Sequence, residues 1–358
     1  MNEKTRQLSA FLEPGEAALT AAPHERRYLT GFASSAGYVL TTAEAAYFLT
    51  DFRYIEAARR AIPDLECRSG DRLLDILREL LTRHGVKRLA VSAEQTTVKQ
   101  LDDWRKALRG VCEVAAQGRY DDRMRQMRLI KSARELEKIR CAQALTDRGY
   151  AHILEYIRPG RTEKEIALEL EFFIRSQGAD GVAFDFIVVS GPNSSLPHGV
   201  PGERRVEPGD FVTMDFGAMV DGWHSDMTRT VAVGHVTEEQ ERVYATVLAA
   251  QEAALRSLRA GLSCRAGDAA ARDIIKAAGW GDCFGHSTGH GVGVEIHEEP
   301  RLSPAAPEEE ILHAGSVVTV EPGIYLPGKF GVRIEDVVFF GKDGCEDITH
   351  SPKNLMIL

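Results

Sequence analysis

The stretch MDFGAMVDGWHSDMTRT, residues 214–230, sets a carboxylate where a strand would carry an apolar side chain. Asp215 follows Phe211, Val212 and Met214 and precedes Phe216. Aspartate is a poor strand former, and an ionised carboxylate among apolar neighbours is costly unless it is paired or bound to a metal. Asp221-Gly222 is a strong hairpin-turn signal. With that pair at the centre, Asp215 faces Thr228, and Asp226 lies on the same face two positions from Thr228. The two carboxylates become diagonal neighbours, and without a cation one of them should carry a proton. The pattern recurs in VVTVEPGIY, where Glu321 ends an apolar strand before a Pro-Gly turn, and in GVRIEDVVFF, where Glu335 stands between Ile334 and Asp336. Any one of these reads as a tolerated or salt-bridged residue, but four unpaired carboxylates make an implausible core.

Nitrogen is supplied by GHSTGHGVGVEIHE, which holds His286, His290 and His297 among glycines that let backbones approach closely. One imidazole with four carboxylates suits a pair of hard or borderline divalent ions, Mn²⁺, Co²⁺ or Zn²⁺, rather than a sulfur-rich structural zinc site. Two such ions about 3.5 to 4 Å apart can share a hydroxide and polarise a carbonyl, so the chemistry implied is hydrolysis.

The elements that must position these groups fall into two blocks. In the first, GYVLTTAEAAYFLTD predicts two strands around a TAEA turn, RYIEAARRAI and RLLDILRELLTRHG predict helices, and KRLAVSA a strand: a small α/β domain. Near residue 125 the chain becomes strongly charged, which places a boundary between domains 1–125 and 126–358. Beyond it, capping-box spacings at Ser132/Glu135, Thr162/Glu165 and Thr237/Gln240 predict three long helices. They alternate with the strand segments FDFIVVSG, DFVTMDFGAMV, HSDMTRTVAVG, SVVTVEPGIYL and GVRIEDVVFF, predicting an α+β layer architecture over a mostly antiparallel sheet.

A length of 358 residues favours two domains, and a net charge of -9 argues against a nucleic-acid binder driven by bulk electrostatics. Neither a signal peptide nor a membrane-spanning run is recognisable, which makes the cytoplasm the expected location and leaves no membrane partner. The six cysteines include no CxxC pair and read as reduced, mostly buried thiols.

Asp215, Asp226, His290 in TGHGVG, Glu321 in VEPGIY and Glu335 in VRIEDVV, in that order, resemble the five dinuclear-metal ligands of the pita-bread metallopeptidases. RYLTGFASSAGYVLTTAEAAYFLTDFRYIEAA, residues 27–58, resembles the creatinase/prolidase N-terminal domain. That second likeness excludes methionine aminopeptidases and points to the Xaa-Pro peptidase group, prolidase and aminopeptidase P. Creatinase shares the fold but lacks the metal ligands present here.

The resemblance implies two divalent metal ions, with manganese foremost. Asp215 would hold one metal with both oxygens, Glu321 and His290 would help hold the other, and Asp226 and Glu335 would bridge. His198 in SLPHGVP, His286 and His297 match histidines that bind substrate and stabilise the tetrahedral intermediate, and Arg333 matches an arginine that orients the carboxylates. Arg301 matches an arginine that in prolidases binds the dipeptide's C-terminal carboxylate, but similar short aminopeptidases also carry one there, and a structural pairing with Glu298 or Glu299 is an equal reading. The activity implied is hydrolysis of the Xaa-Pro bond, in dipeptides or at the N-terminus of longer peptides, by a metal-bridged hydroxide with Glu321 as proton shuttle, in a homodimeric enzyme. The alternative is a non-catalytic pita-bread module that binds peptides or proteins, but such relatives typically lose ligands and none is lost here. His224, His235 and His313 match no family position and read as solvated surface groups.

Overall fold

The computed structural model describes residues 1–341 and 344–358. Its contacts divide the chain into two compact units, Met1–Arg128 and Leu129–Leu358.

The first unit is built on a six-stranded mixed sheet in the order Glu66–Ser69, Ala46–Thr50, Tyr38–Thr41, Glu16–Thr20, Arg88–Ser92, Glu113–Gln117. The TAEA turn closes as expected: Thr41 pairs with Ala46, and the Thr42 hydroxyl accepts the backbone N–H groups of Glu44 and Ala45. Helices Ile55–Ala61 and Leu73–Arg83 also form where the apolar spacing places them. Strand Glu16–Thr20 was not foreseen. Its sequence EAALT has weak strand propensity, and it holds a central position through burial of every residue between two neighbours.

In the second unit, helices Ala133–Tyr156, Glu163–Ser176 and Glu238–Ser257 each open on a complete capping box, at Ser132, Thr162 and Thr237. A fourth long helix, Cys264–Ala277, was missed. Its N-cap Ser263 accepts the Ala266 N–H, and with alanine there the reciprocal half of the box is absent from the sequence. All pairings between the described strands of this unit are antiparallel.

Two cores hold these sheets. Ile153 and Ile174 of the first helix pair close on Met214 and Val231, while Val247 and Ala271 of the second pair close on Val318 and Val338. Burying one of the valine, isoleucine or methionine side chains among these contributes about 1.5–3 kcal/mol. The strands that bear the acidic residues are thereby fixed on both flanks.

The thiols are more varied than expected. Cys67 and Cys264 are buried, Cys112, Cys283 and Cys345 are half-buried and Cys141 is exposed, and all six are free. Among the described residues no helix is long and apolar enough to cross a membrane.

Candidate metal centre and active site

The hairpin places the first two carboxylates. Asp221 and Gly222 both take positive φ, 50° and 76°, as a two-residue turn of mirror-image type requires. The ladder breaks at Gly217 and Ser225–Asp226, but the same register holds on both sides, from Met219–His224 to Asp215–Thr228, the pairing expected from the sequence. Glu321 leaves strand Val317–Val320, its N–H bonded to the Thr288 carbonyl at 2.7 Å. Glu335 lies between strands Phe330–Arg333 and Asp336–Phe340, its N–H on the Thr228 carbonyl at 3.1 Å.

His290 sits on the short strand Gly289–Gly291, where neighbouring backbones press close. A Cβ at Gly289 would collide with the Thr319 carbonyl, and one at Gly291 with that of Glu299. Its Nδ1 faces the Gly291 carbonyl at 3.0 Å and must donate, which leaves a lone pair on Nε2. That atom lies 3.5 Å from Asp226 Oδ2 and 3.4 Å from Glu321 Oε1. Burial pushes His290 down to about 3, so the ring is neutral.

Ligand atoms of Asp226, His290 and Glu335 lie within 4.8 Å of one another, all three residues buried. Burial, followed by the charges of Glu335, Asp215 and Glu321, holds the Asp226 carboxyl well above the usual range; burial and its acidic neighbours do the same to Glu335. Burial likewise raises Glu321 to about 8. Asp215 is not unpaired as expected, since Arg333 Nη2 donates to its Oδ2 at 2.6 Å. Its Oδ1, like Asp226 Oδ1, is buried and without a hydrogen-bond partner. Two orphaned carboxylate oxygens, crowded acids and an imidazole lone pair aimed at them form a donor set complementary to divalent cations.

This crowding makes a pH prediction for the metal-free protein. A carboxyl with a raised folded-state pKa binds its proton more tightly when folded, so its stabilisation is complete below the unfolded value and is lost as pH rises through the folded one. For Glu321 that window runs from 4.5 to about 8. The thermal midpoint of chelated protein should fall across it and recover on adding divalent metal, as calorimetry at several pH values would show. A midpoint that rises across the same interval would contradict the crowded site.

Arg333 organises the acidic wall. Besides Asp215, it donates from Nε to Thr228 Oγ1 at 2.9 Å and from Nη1 to the Tyr325 hydroxyl at 2.7 Å. Thr228 passes the polarity on, donating to Glu335 Oε2 at 2.6 Å. Tyr325 in turn lies 2.9 Å from His286 Nε2, while His286 Nδ1 faces the Ser287 carbonyl at 2.9 Å. Both ring nitrogens of His286 therefore have protein partners. Its pKa is lowered to about 4, by burial first and then by Arg333, which leaves the ring neutral.

The cleft above these groups, about 650 Å³, is bordered by His198, His286 and His297 together with Arg301, Glu321 and Arg333. His198 is carried by a loop anchored on the buried Glu163, whose carboxylate accepts from Ser190 N, Asn193 Nδ2 and Gly202 N at 2.7, 3.0 and 3.1 Å. Sequence reasoning missed Thr228, Tyr325 and Glu163 as parts of this site. The EPGIY and capping-box motifs that contain the last two drew notice only for Glu321 and Glu165. Of the three histidines read as solvated, His235 and His313 are exposed. His224 is half-buried instead, its N–H and Nδ1 both on the Gly293 carbonyl at 2.9 and 3.0 Å.

The geometry can be set beside known proteins. Residues 137–341 match the model of metallopeptidase family M24, and residues 15–130 match the creatinase/prolidase N-terminal domain. The chain belongs to metallopeptidase family M24. The M24 chain is therefore a metallopeptidase with a creatinase-type N-terminal domain followed by a pita-bread catalytic domain. It is 35% identical to an Xaa-Pro dipeptidase of Pyrococcus horikoshii over 99% of both chains. Among solved structures, an Xaa-Pro dipeptidase from Bacillus anthracis superposes with a TM-score of 0.94 at 40% identity, covering 99% of each chain. An X-Pro aminopeptidase from Thermotoga maritima gives 0.91 at 37% identity, covering 98% of this chain and 100% of that one.

Proposed function

We propose that this M24 metallopeptidase hydrolyses the Xaa-Pro bond, and that Asp215, Asp226, His290, Glu321 and Glu335 hold two divalent ions, with manganese foremost and cobalt or zinc as substitutes. The observation that carries the reading is the convergence of the neutral His290 Nε2 on Asp226 and Glu321, beside orphaned oxygens of Asp215 and Asp226. The relatives named for Xaa-Pro hydrolysis support the substrate class. When bound, such cations lower the pKa of water and polarise the scissile carbonyl.

The chain's own residues supply orientation and proton handling. Arg333 fixes Asp215 directly and Glu335 through Thr228. Glu321 takes the proton from the attacking water and returns it to the departing proline nitrogen. His297 and His198, on the cleft wall, donate to the substrate carbonyl as it gains negative charge. His286, with both nitrogens engaged, acts by holding Tyr325 and hence Arg333.

Arg301 reads substrate length. Its strand neighbour Glu298 is turned inward onto Lys131, and Glu299 lies 3.9 Å away with both side chains nearly half exposed, an ion pair that contributes little. The guanidinium is left to meet a carboxylate in the cleft that it lines. Two charge-assisted hydrogen bonds contribute roughly 1.5 to 3 kcal/mol. Arg301→Ala should therefore raise KM for Ala-Pro by ~10- to 100-fold, at 1.4 kcal/mol per decade, and leave Ala-Pro-Ala nearly unchanged. Equal losses on both substrates would assign Arg301 a structural role. Assaying both peptides on chelated enzyme reloaded with each metal tests the activity itself, and no hydrolysis of either with any metal would reject it.

A further inference from the structure

Side chains alternate along strand Glu298–Leu302: Glu298, Pro300 and Leu302 are buried, Glu299 and Arg301 exposed. His297, one residue ahead, shares the exposed side, and both it and Arg301 line the cleft. Glu298 turns the other way and meets Lys131, with Nζ 2.9 Å from Oε2 and the two side chains 1% and 2% exposed. Its second oxygen accepts the Glu295 N–H at 3.2 Å. Gly293 completes the wrap. A Cβ there would strike the Glu298 carboxylate, and the Gly293 N–H donates to the Glu295 carbonyl at 3.0 Å.

Residues 292–298 are thus folded around a buried ion pair. Such a pair is a weak source of net stability, because desolvating two charges offsets their attraction. What it does supply is position: with Glu298 pinned, the adjoining His297, last residue of the bend that leads into the strand, is held at the cleft. His297 rests edge-to-face on His290, with ring centroids 4.5 Å apart, so a shift of this loop would misplace its imidazole relative to the acidic site. A misplacement of about 1 Å can cost ~10²-fold in rate.

We propose that the Lys131–Glu298 pair is a positioning device for His297, an inference that rests on the reading of His297 as a donor to the reacting carbonyl. Neither charge touches substrate; both act through the loop.

The test is a double-mutant cycle in the full-length, metal-loaded enzyme on Ala-Pro, with Lys131→Met, His297→Ala and their combination measured for kcat, KM and bound metal. Lys131→Met should lower kcat about tenfold or more with KM and metal content unchanged, and should speed amide exchange at residues 292–298 of the chelated protein. Where His297 is already alanine, it should cost less than about threefold. The same kcat loss in both backgrounds would overturn the proposal while leaving the role of His297 intact. If His297→Ala instead releases metal, that role falls, and the coupling is read on metal affinity, where additivity again overturns the device. If Lys131→Met fails to fold, Glu298→Gln keeps the shape, removes the charge and takes its place in the cycle.

Discussion

Asp226→Asn should abolish Xaa-Pro hydrolysis while raising the thermal midpoint of the metal-free protein. The substitution keeps the shape of a buried residue and removes one charge from a set in which Glu335, Asp215 and Glu321 all oppose its ionisation. It also introduces a donor, and the lone pair of His290 Nε2, 3.5 Å from Asp226 Oδ2, can accept from it. The apo fold should therefore gain stability. On the proposed reading the same change also removes a metal ligand, and polarisation by a bound cation is worth several kcal/mol. At 1.4 kcal/mol per decade, the loss of rate should exceed ~10³-fold. Metal analysis and calorimetry of chelated and reloaded protein separate the two effects. Added metal should raise the wild-type midpoint far more than the mutant's. A mutant that keeps full activity and binds two ions would sink the assignment.

The hairpin was legible in the sequence because the turn chemistry is local: an Asp-Gly pair that accepts two positive φ values leaves one register, and that register alone sets Asp215 opposite Thr228. The three capping boxes were legible for the same reason, with donor and acceptor three residues apart. What no local rule in the sequence marks is contact at a distance, and Arg333 was assigned to the carboxylates by family resemblance alone. Arg333 meets Asp215 across 118 positions, Lys131 meets Glu298 across 167, and no periodicity marks either pair. The acidic set itself could be picked out only because an ionised group on an apolar strand violates a local rule. Arg333 and Tyr325 violate none at their positions, and Glu163, an acid in the first turn of a helix, fits the local pattern so well that its buried role in holding the His198 loop left no trace. The division of labour among the histidines is hidden for a related reason: an imidazole's role depends on what each nitrogen meets, and those partners are tertiary.

That difference between imidazoles leads to the second large effect, at His297. His286 has a protein partner on each nitrogen, and His290 offers its lone pair to the acids. Among the described residues, the group able to hold a metal contains His290 and no other histidine. His297 packs in a T-shaped arrangement with His290 on the open side of the cleft. Burial and then Arg301 lower its pKa, so at neutral pH it is an uncharged ring with one N–H to donate. A donor aimed at developing negative charge acts in the transition state more than in the ground state, and losing one costs ~10² to 10³ in rate. His297→Ala should accordingly lower kcat on Ala-Pro by that factor, with KM little changed and bound metal undiminished, whereas a lost ligand would lower metal content in step with activity. Steady-state kinetics and metal analysis on the same preparation decide between them, and a parallel fall would make His297 a ligand and remove it from the oxyanion side of the cleft.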